Sequence, residues 1–473
     1  MSTPPCNAFS ASRGVITVDK ELATLEKAIE EIWQVEQRMG LDPFPMHFEV
    51  VPPTIMYEFG AYGLPGHYSH WTHGKAYHQM KTLYDYGLSK IYELVINANP
   101  CYAFLLGGNS LIQNKLVIAH AMAHSDFFKN NVYFKPTSRH MVESASISAD
   151  RIRHYEIRHG VKEVENFLDA VLSIHEHIDP YRFIRHASEE KHEEKAQATP
   201  YEDLWQIGEP PPKVAPKTKK FPPQPEKDLL LFIMENAPDL EHWQRDIISI
   251  VREESLYFLP QMQTKILNEG WAAYWHTRVL RELELTEAEY TEFAALHSSV
   301  TTPSKRHINP YYVGLKMLED IFGRWETPAP HQGRPGGGGT QKLFEVREME
   351  NDVSFFRTYL TKELVGDLDL YLYRQEKDKW VVTEKNWERV RDTIVNSLTN
   401  MGFPYIVVED GDYHGKRELY LKHSYEGQPL DLPYAEKTLS MVYTLWGRPV
   451  HLETVSDQKP LLLTCDGEKI TRT

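Results

Sequence analysis

Apolar residues recur along most of this chain at helical spacing. From Lys20, the positions Leu22, Leu25, Ile29, Ile32 and Trp33 fall on one helix face, and Gly40 closes the run. An aromatic, turn-rich stretch follows, and then a pattern that predicts a helix from about Tyr77 to Ile96. After Pro100 the spacing predicts a short strand or turn and a helix over about Ser110–Lys129. Another helix is expected over Met141–His159, with helical patterns continuing to about Arg185. They resume from Asp228 to about Trp325. Beyond residue 342 the pattern changes to alternation, as in LDLYLYR, KWVVTE, PYIVVED, ELYLKHS and RPVHLETV, with helices at NWERVRDTIVNSLTNMG and YAEKTLSMVYTLW.

These shifts divide the chain. Residues 1–18 are polar and read as a disordered tail. A helical domain runs over 19–186 and again over 228–325, interrupted at 187–227 by a Pro-, Lys- and Glu-rich stretch whose composition cannot bury a core. Residues 326–341, with four consecutive glycines, read as a linker, and 342–473 as a small α+β domain. The expected fold is a mainly α N-terminal domain plus that C-terminal domain.

A length of 473 residues is too great for one core, and 41% hydrophobic with 25% charged residues is ordinary for globular proteins. The formal net charge of -15 suits neither a phosphate backbone nor an anionic membrane surface, so nucleic acid is not expected as a partner. No stretch has the length and apolarity of a membrane span. Cys6, Cys101 and Cys465 form no disulfide framework or CxxC pattern and fit a reducing, cytoplasmic setting.

Candidate chemistry centres on VIAHAMAHSDFF. His120 and His124 stand one helical turn apart, so their imidazoles share a face, and the small apolar residues around them predict burial. HxxxH is a spacing that zinc sites use; the same pattern also arises from core histidines bonded to their neighbours. The segment ILNEGWAAYWH resembles the stretch that carries the third ligand of gluzincin-type zinc aminopeptidases. By that resemblance Glu269 completes a zinc site with His120 and His124.

The gluzincin pattern has a glutamate after its first histidine; here that residue is Ala121, so the usual general base is absent. Glu143, Glu253 and Glu254 are candidate carboxylates, none of them placed by spacing. His276 lies seven residues after Glu269, about 10 Å along a straight helix, which suits a supporting or substrate-binding role or a surface histidine. Glu143, Ile147, Asp150 and His154 form one stripe, either solvated or lining a site. His67, His70, His73 and His78 occupy a stretch suited to a loop over a pocket or to plain surface. Two ExxH pairs, Glu156 with His159 and Glu189 with His192, are poor support for a di-iron site. No GxGxxG, GxxxxGK[ST] or GxSxG motif is present.

Three long stretches are more specific: FGAYGLPGHYSHWTHGKAYHQMKTLYDYGLSKIYELVINANPCYAFLL, NSLIQNKLVIAHAMAHSDFFKNN and REESLYFLPQMQTKILNEGWAAYWH. Together with GKRELYLKHSYEGQPLDLPYAEKTLSMVYTLWGRPVHLETV they resemble the stage V sporulation protein R (SpoVR) family. That resemblance implies an association with spore cortex formation and, in many bacteria, with a neighbouring serine protein kinase. It implies no reaction. Two readings follow. One is a zinc-dependent hydrolase of amide or peptide bonds, with His120, His124 and Glu269 as ligands, Glu143 or Glu254 as base and His276 as transition-state partner. The other is a non-enzymatic regulatory or scaffold protein acting with the kinase system.

Overall fold

The computed structural model describes residues 17–86, 93–182, 220–304, 307–329, 333, 335–376 and 379–473. In chain order the elements are α1 (Thr17–Arg38), β1 (Met46–Val51), α2 (Pro53–Tyr62), α3 (Trp71–Asp85), β2 (Glu93–Ile96), β3 (Cys101–Leu106), α4 (Leu111–Asn130), α5 (Met141–His159) and α6 (Val161–Leu172). Next come α7 (Leu229–Asn236), α8 (His242–Gln263), α9 (Lys265–Glu282), α10 (Glu287–Val300), α11 (Pro310–Glu326), α12 (Gly339–Met349), α13 (Asp352–Tyr359) and α14 (Lys362–Asp367). The chain ends with β4 (Leu372–Glu376), β5 (Lys379–Glu384), α15 (Trp387–Leu398), β6 (Ile406–Tyr413), β7 (Glu418–His423), α16 (Leu432–Trp446), β8 (Val450–Ser456), β9 (Lys459–Cys465) and β10 (Ile470–Arg472).

Two compact units emerge, and they cut across the boundaries that composition suggested. The first joins residues 1–151 to 257–402; the second joins 152–256 to 403–473. Residues 342–402, expected with the C-terminal domain, therefore belong with the helical unit. The cause is packing: Leu343, Phe355, Phe356, Val390 and Ile394 share one core with Ile118 and Met122 of α4 and Trp271 of α9. No local pattern announces that partner choice. Part of the expected linker is also structured. Glu226 is buried and bridges Val408 on β6 within the second unit. Residues 187–219 and most of the expected N-terminal tail lie outside the described residues.

Within the first unit, β1, β3 and β2 form a small mixed sheet in that order, β1 parallel and β2 antiparallel to β3. Here the helix expected up to Ile96 is corrected: Glu93–Ile96 is a strand. Leu94 and Val95 pair with Phe104 and Ala103 of β3, so a tertiary ladder sets the local conformation of an apolar run that spacing alone reads as helix. The strand carries Glu93. The second unit holds a five-stranded sheet ordered β10-β9-β8-β7-β6, with α16 packed on α6. Among the described residues no helix is long and apolar enough to cross a membrane.

Candidate metal centre

The centre is assembled from five elements of the first unit, β2, α4, α9, α10 and α11. α4 opens with a reciprocal capping box between Ser110 and Gln113, and every residue from Val117 to Phe128 is buried. Asp126 locks it in place: its carboxylate accepts from Arg347 on α12 at 2.7 and 2.9 Å and from the Trp271 indole N–H on α9 at 3.0 Å. α9 has no cap of its own from Thr264. Asp352 on α13 supplies one, accepting from the backbone N–H groups of Ile266 and Leu267, both at 2.9 Å. Burial pushes the Asp352 carboxyl up to about 7 against those hydrogen bonds.

Close approach of α9 to α11 then aims Glu269. The two helices cross where Gly270 faces Gly314, and a Cβ on either glycine would collide with backbone of the other helix. α10 is tied to α4 by Ser110, whose hydroxyl donates to Glu292 at 2.7 Å, and by a 3.0 Å Lys115–Glu289 ion pair.

Three expected residues converge as a result. Glu269 Oε2 lies 3.5 Å from His120 Nε2 and 3.4 Å from His124 Nε2. Glu93 Oε1, which sequence reasoning missed, lies 3.4 Å from His120 Nε2, and one donor atom each of Glu93, His120 and His124 lie within 4.8 Å of one another. A tetrahedral ion with ligand bonds of about 2.0–2.2 Å needs donor separations of about 3.3–3.6 Å. Three of the separations, His120–Glu269, His124–Glu269 and His120–Glu93, fall in that range. His120 Nε2, Glu269 Oε2 and Glu93 Oε2 are also buried without a hydrogen-bond partner, a costly arrangement for a site meant to stay empty of a cation.

The neighbouring hydrogen bonds fix the ring tautomers. His124 Nδ1 lies 2.9 Å from Asn268 Oδ1, an acceptor, so Nδ1 keeps its proton, and it is loss of the Nε2 proton facing Glu269 that frees a lone pair for a cation. His120 Nδ1 meets His276 Nδ1 at 2.8 Å, and His276 Nε2 meets His297 Nδ1 at 3.0 Å. If Nε2 of His120 is the donor atom, each ring in this chain hands one N–H to the next, ending at His297. His276 therefore stands one hydrogen bond behind the His120 ring and is buried, not the surface histidine its spacing also allowed. Burial, with His120 and His297 alongside, holds its pKa well below the usual imidazole range.

The charges balance around the centre. Burial opposes ionisation of Glu269, but the adjoining imidazoles outweigh it and hold the carboxyl far below the usual carboxylate range. Burial likewise disfavours charge on His124, yet Glu269 and Glu93 push it up to about 9. Burial raises Glu93 despite both histidines. Tyr311, on α11, stacks over His120 at 5.9 Å, and burial with the two carboxylates raises its phenol.

A cavity of about 570 Å³ opens beside these groups, walled by Leu116, Val117 and Val300 and with Glu93, His120 and His297 on its polar side. None of the three candidate carboxylates, Glu143, Glu253 and Glu254, lines it. Glu143 is exposed on α5, as are Asp150 and His154 of the same stripe, and Glu254 is buried on α8 in the second unit. His70 caps α3 through Thr72. Glu189 and His192 lie outside the described residues. Besides Glu93, reasoning from sequence missed Asn268, His297 and Tyr311. Only Asn268 carried a signal, since it adjoins Glu269 on the helix.

Comparison with known proteins places a family-model boundary near residue 403, although the first model also spans residues 152–256 of the second unit. A family model described as SpoVR like protein matches residues 19–403, and one described as SpoVR-like C-terminal domain matches 404–457. The chain is 31% identical over 468 residues to an uncharacterized protein, YcgB, of Escherichia coli (strain K12), with 91% of each chain covered. No solved structure matches it.

Proposed function

The chain belongs to the SpoVR family, and from that premise we propose that it is a zinc-dependent hydrolase of amide bonds, with His120, His124 and Glu269 as ligands. The observation that carries this reading is the approach of Glu269 Oε2 to His120 Nε2 at 3.5 Å and to His124 Nε2 at 3.4 Å, with Glu269 Oε2 and His120 Nε2 buried without a hydrogen-bond partner. A bound zinc supplies Lewis acidity, polarising a carbonyl and acidifying water.

The rest falls to the chain's own residues. Glu93 takes the position left vacant by Ala121: a carboxylate at the ligands' side that faces the cavity. Its oxygen accepts a proton from the attacking water while the water oxygen bonds to the amide carbon. The C–N bond then breaks, and the same proton passes to the departing nitrogen, which leaves a carboxylic acid and an amine. Asn268 and His276 hold the ligand imidazoles in the required tautomer. The resemblance to a family associated with spore cortex formation makes a peptide of a cell-wall precursor the first substrate to try.

Elemental analysis of protein purified without a His-tag tests the reading. About one equivalent of zinc is expected, lost in His120→Ala and in Glu269→Ala while circular dichroism stays unchanged. Metal-free protein whose stability those substitutions leave unaltered would overturn it and favour a scaffold role.

A further inference from the structure

A separate cavity lies on the far side of α9 from the metal centre. Tyr274, Trp275, Arg278, Arg281 and Glu282 recur at the spacing of one helix face, opposite the face that carries Glu269 and His276. They line a space of about 400 Å³ that shares no described lining residue with the cavity beside His120. Met39, Phe322 of α11 and Thr340 of α12 complete its wall, and all of these residues lie in the first unit. A volume of that size holds a small molecule.

Its donors have few partners within the protein. The Arg278 guanidinium stacks on the Tyr274 ring at 3.3 Å and donates to the Tyr274 carbonyl oxygen at 3.2 Å. Among the described residues no carboxylate forms an ion pair with it, although its fork carries five N–H donors. Glu319, which acts on it through space, is held by Lys316 at 2.8 Å. Half-buried Arg278 is thus a partly desolvated charge without a counter-charge in contact. Exposed Arg281, about one turn on, brings a second guanidinium to the same space and has no carboxylate partner among the described residues either. Trp275 is buried, and its indole N–H has no acceptor among the described residues, which marks a donor whose partner is missing.

The same lining sets the chemistry of an occupant. Guanidinium forks grip a carboxylate with paired, charge-assisted hydrogen bonds. Glu282, exposed on the rim, repels a phosphate dianion and attracts an ammonium group. Met39, Trp275 and Phe322 offer an apolar, largely aromatic wall. We propose that this cavity binds a free α-amino acid with an apolar side chain, its carboxylate on Arg278 and Arg281, its ammonium on Glu282 and its side chain against Met39, Trp275 and Phe322. The site goes beyond the hydrolase reading and does not depend on zinc.

The test is isothermal titration calorimetry of the full chain with L-phenylalanine and L-leucine, up to about 10 mM. Saturable binding of both is expected. L-Phenylalaninamide, which lacks the carboxylate, is expected to bind at least about tenfold more weakly, the scale of a charged hydrogen bond. N-Acetyl-L-phenylalanine, which lacks the ammonium, loses about two- to fivefold, as for an exposed ion pair. Arg278→Gln weakens L-phenylalanine about tenfold, and Arg281→Gln, at an exposed position that spares the fold, about two- to fivefold. His120→Ala leaves the affinity as it is, because the metal centre faces the other way. No saturable binding, equal affinity for the amide, tighter binding of inorganic phosphate, or affinity lost in His120→Ala but kept in both arginine variants sinks the proposal. Zinc content of the same samples scores the hydrolase separately. Binding by zinc-free protein keeps this site and counts against the hydrolase; zinc without amino-acid binding does the reverse.

Discussion

Buried histidines occur in both units and are treated in opposite ways. In the five-stranded sheet, His451 has each ring nitrogen engaged, Nδ1 with Thr464 Oγ1 and Nε2 with Glu418 Oε2, both at 2.9 Å. His423 meets Thr454 Oγ1 at 2.9 Å. These are cross-strand contacts of the kind that simply complete a sheet. On α4, His120 has its Nδ1 bonded to His276 while its Nε2 is buried and orphaned beside two carboxylates. Burial alone therefore says little about a histidine. The state of its second nitrogen separates a packed imidazole from one held ready for a cation.

The sharpest way to press that contrast is pH. Because His124 titrates at about 9, a metal entering below that pH must displace a proton. Zinc affinity should rise by up to about tenfold per pH unit as pH climbs towards 9 and then level off, with close to one proton released per zinc at neutral pH. Titration calorimetry in buffers of differing ionisation enthalpy reads the proton count. In the metal-free protein the sign reverses: the His124–Glu269 pairing contributes stability that is complete below the free imidazole value of 6.5 and is lost as pH rises through about 9. Affinity independent of pH would equate the α4 histidines with those of the sheet.

A smaller effect is expected behind the ligands. His276→Phe removes the acceptor that fixes the His120 tautomer and should weaken zinc binding about 10–100-fold with the helices intact. A cobalt-substituted sample would show the changed ligand field in its visible spectrum. The smallest effect on zinc belongs to the sheet. His451→Ala should leave zinc content untouched and cost about 1–3 kcal/mol in chemical denaturation, since Glu418 and Thr464 lose their partner. A loss of zinc in His451→Ala would dissolve the distinction between the two regions.

Some of this was legible in the chain itself. The α4 helix, the shared face of His120 and His124, the strands β6, β7 and β8 and the helix α16 follow from spacing and alternation, which are local properties. Glu269 came from likeness of a short stretch, and Glu93 escaped because Leu94, Val95 and Ile96 fit either period. Only the ladder with β3 selects the strand and brings its first residue to the imidazoles.

The residues thus determined that α4 forms and that two imidazoles would point the same way, because helical geometry repeats every few residues. Tertiary structure alone decided that Gly270 and Gly314 let two helices touch, that Asp352 caps α9 from a distant segment, and that residues 342–402 join the helical core. Such contacts link positions tens to hundreds of residues apart. Their energy depends on shape matching across the whole unit, which no window along the sequence contains.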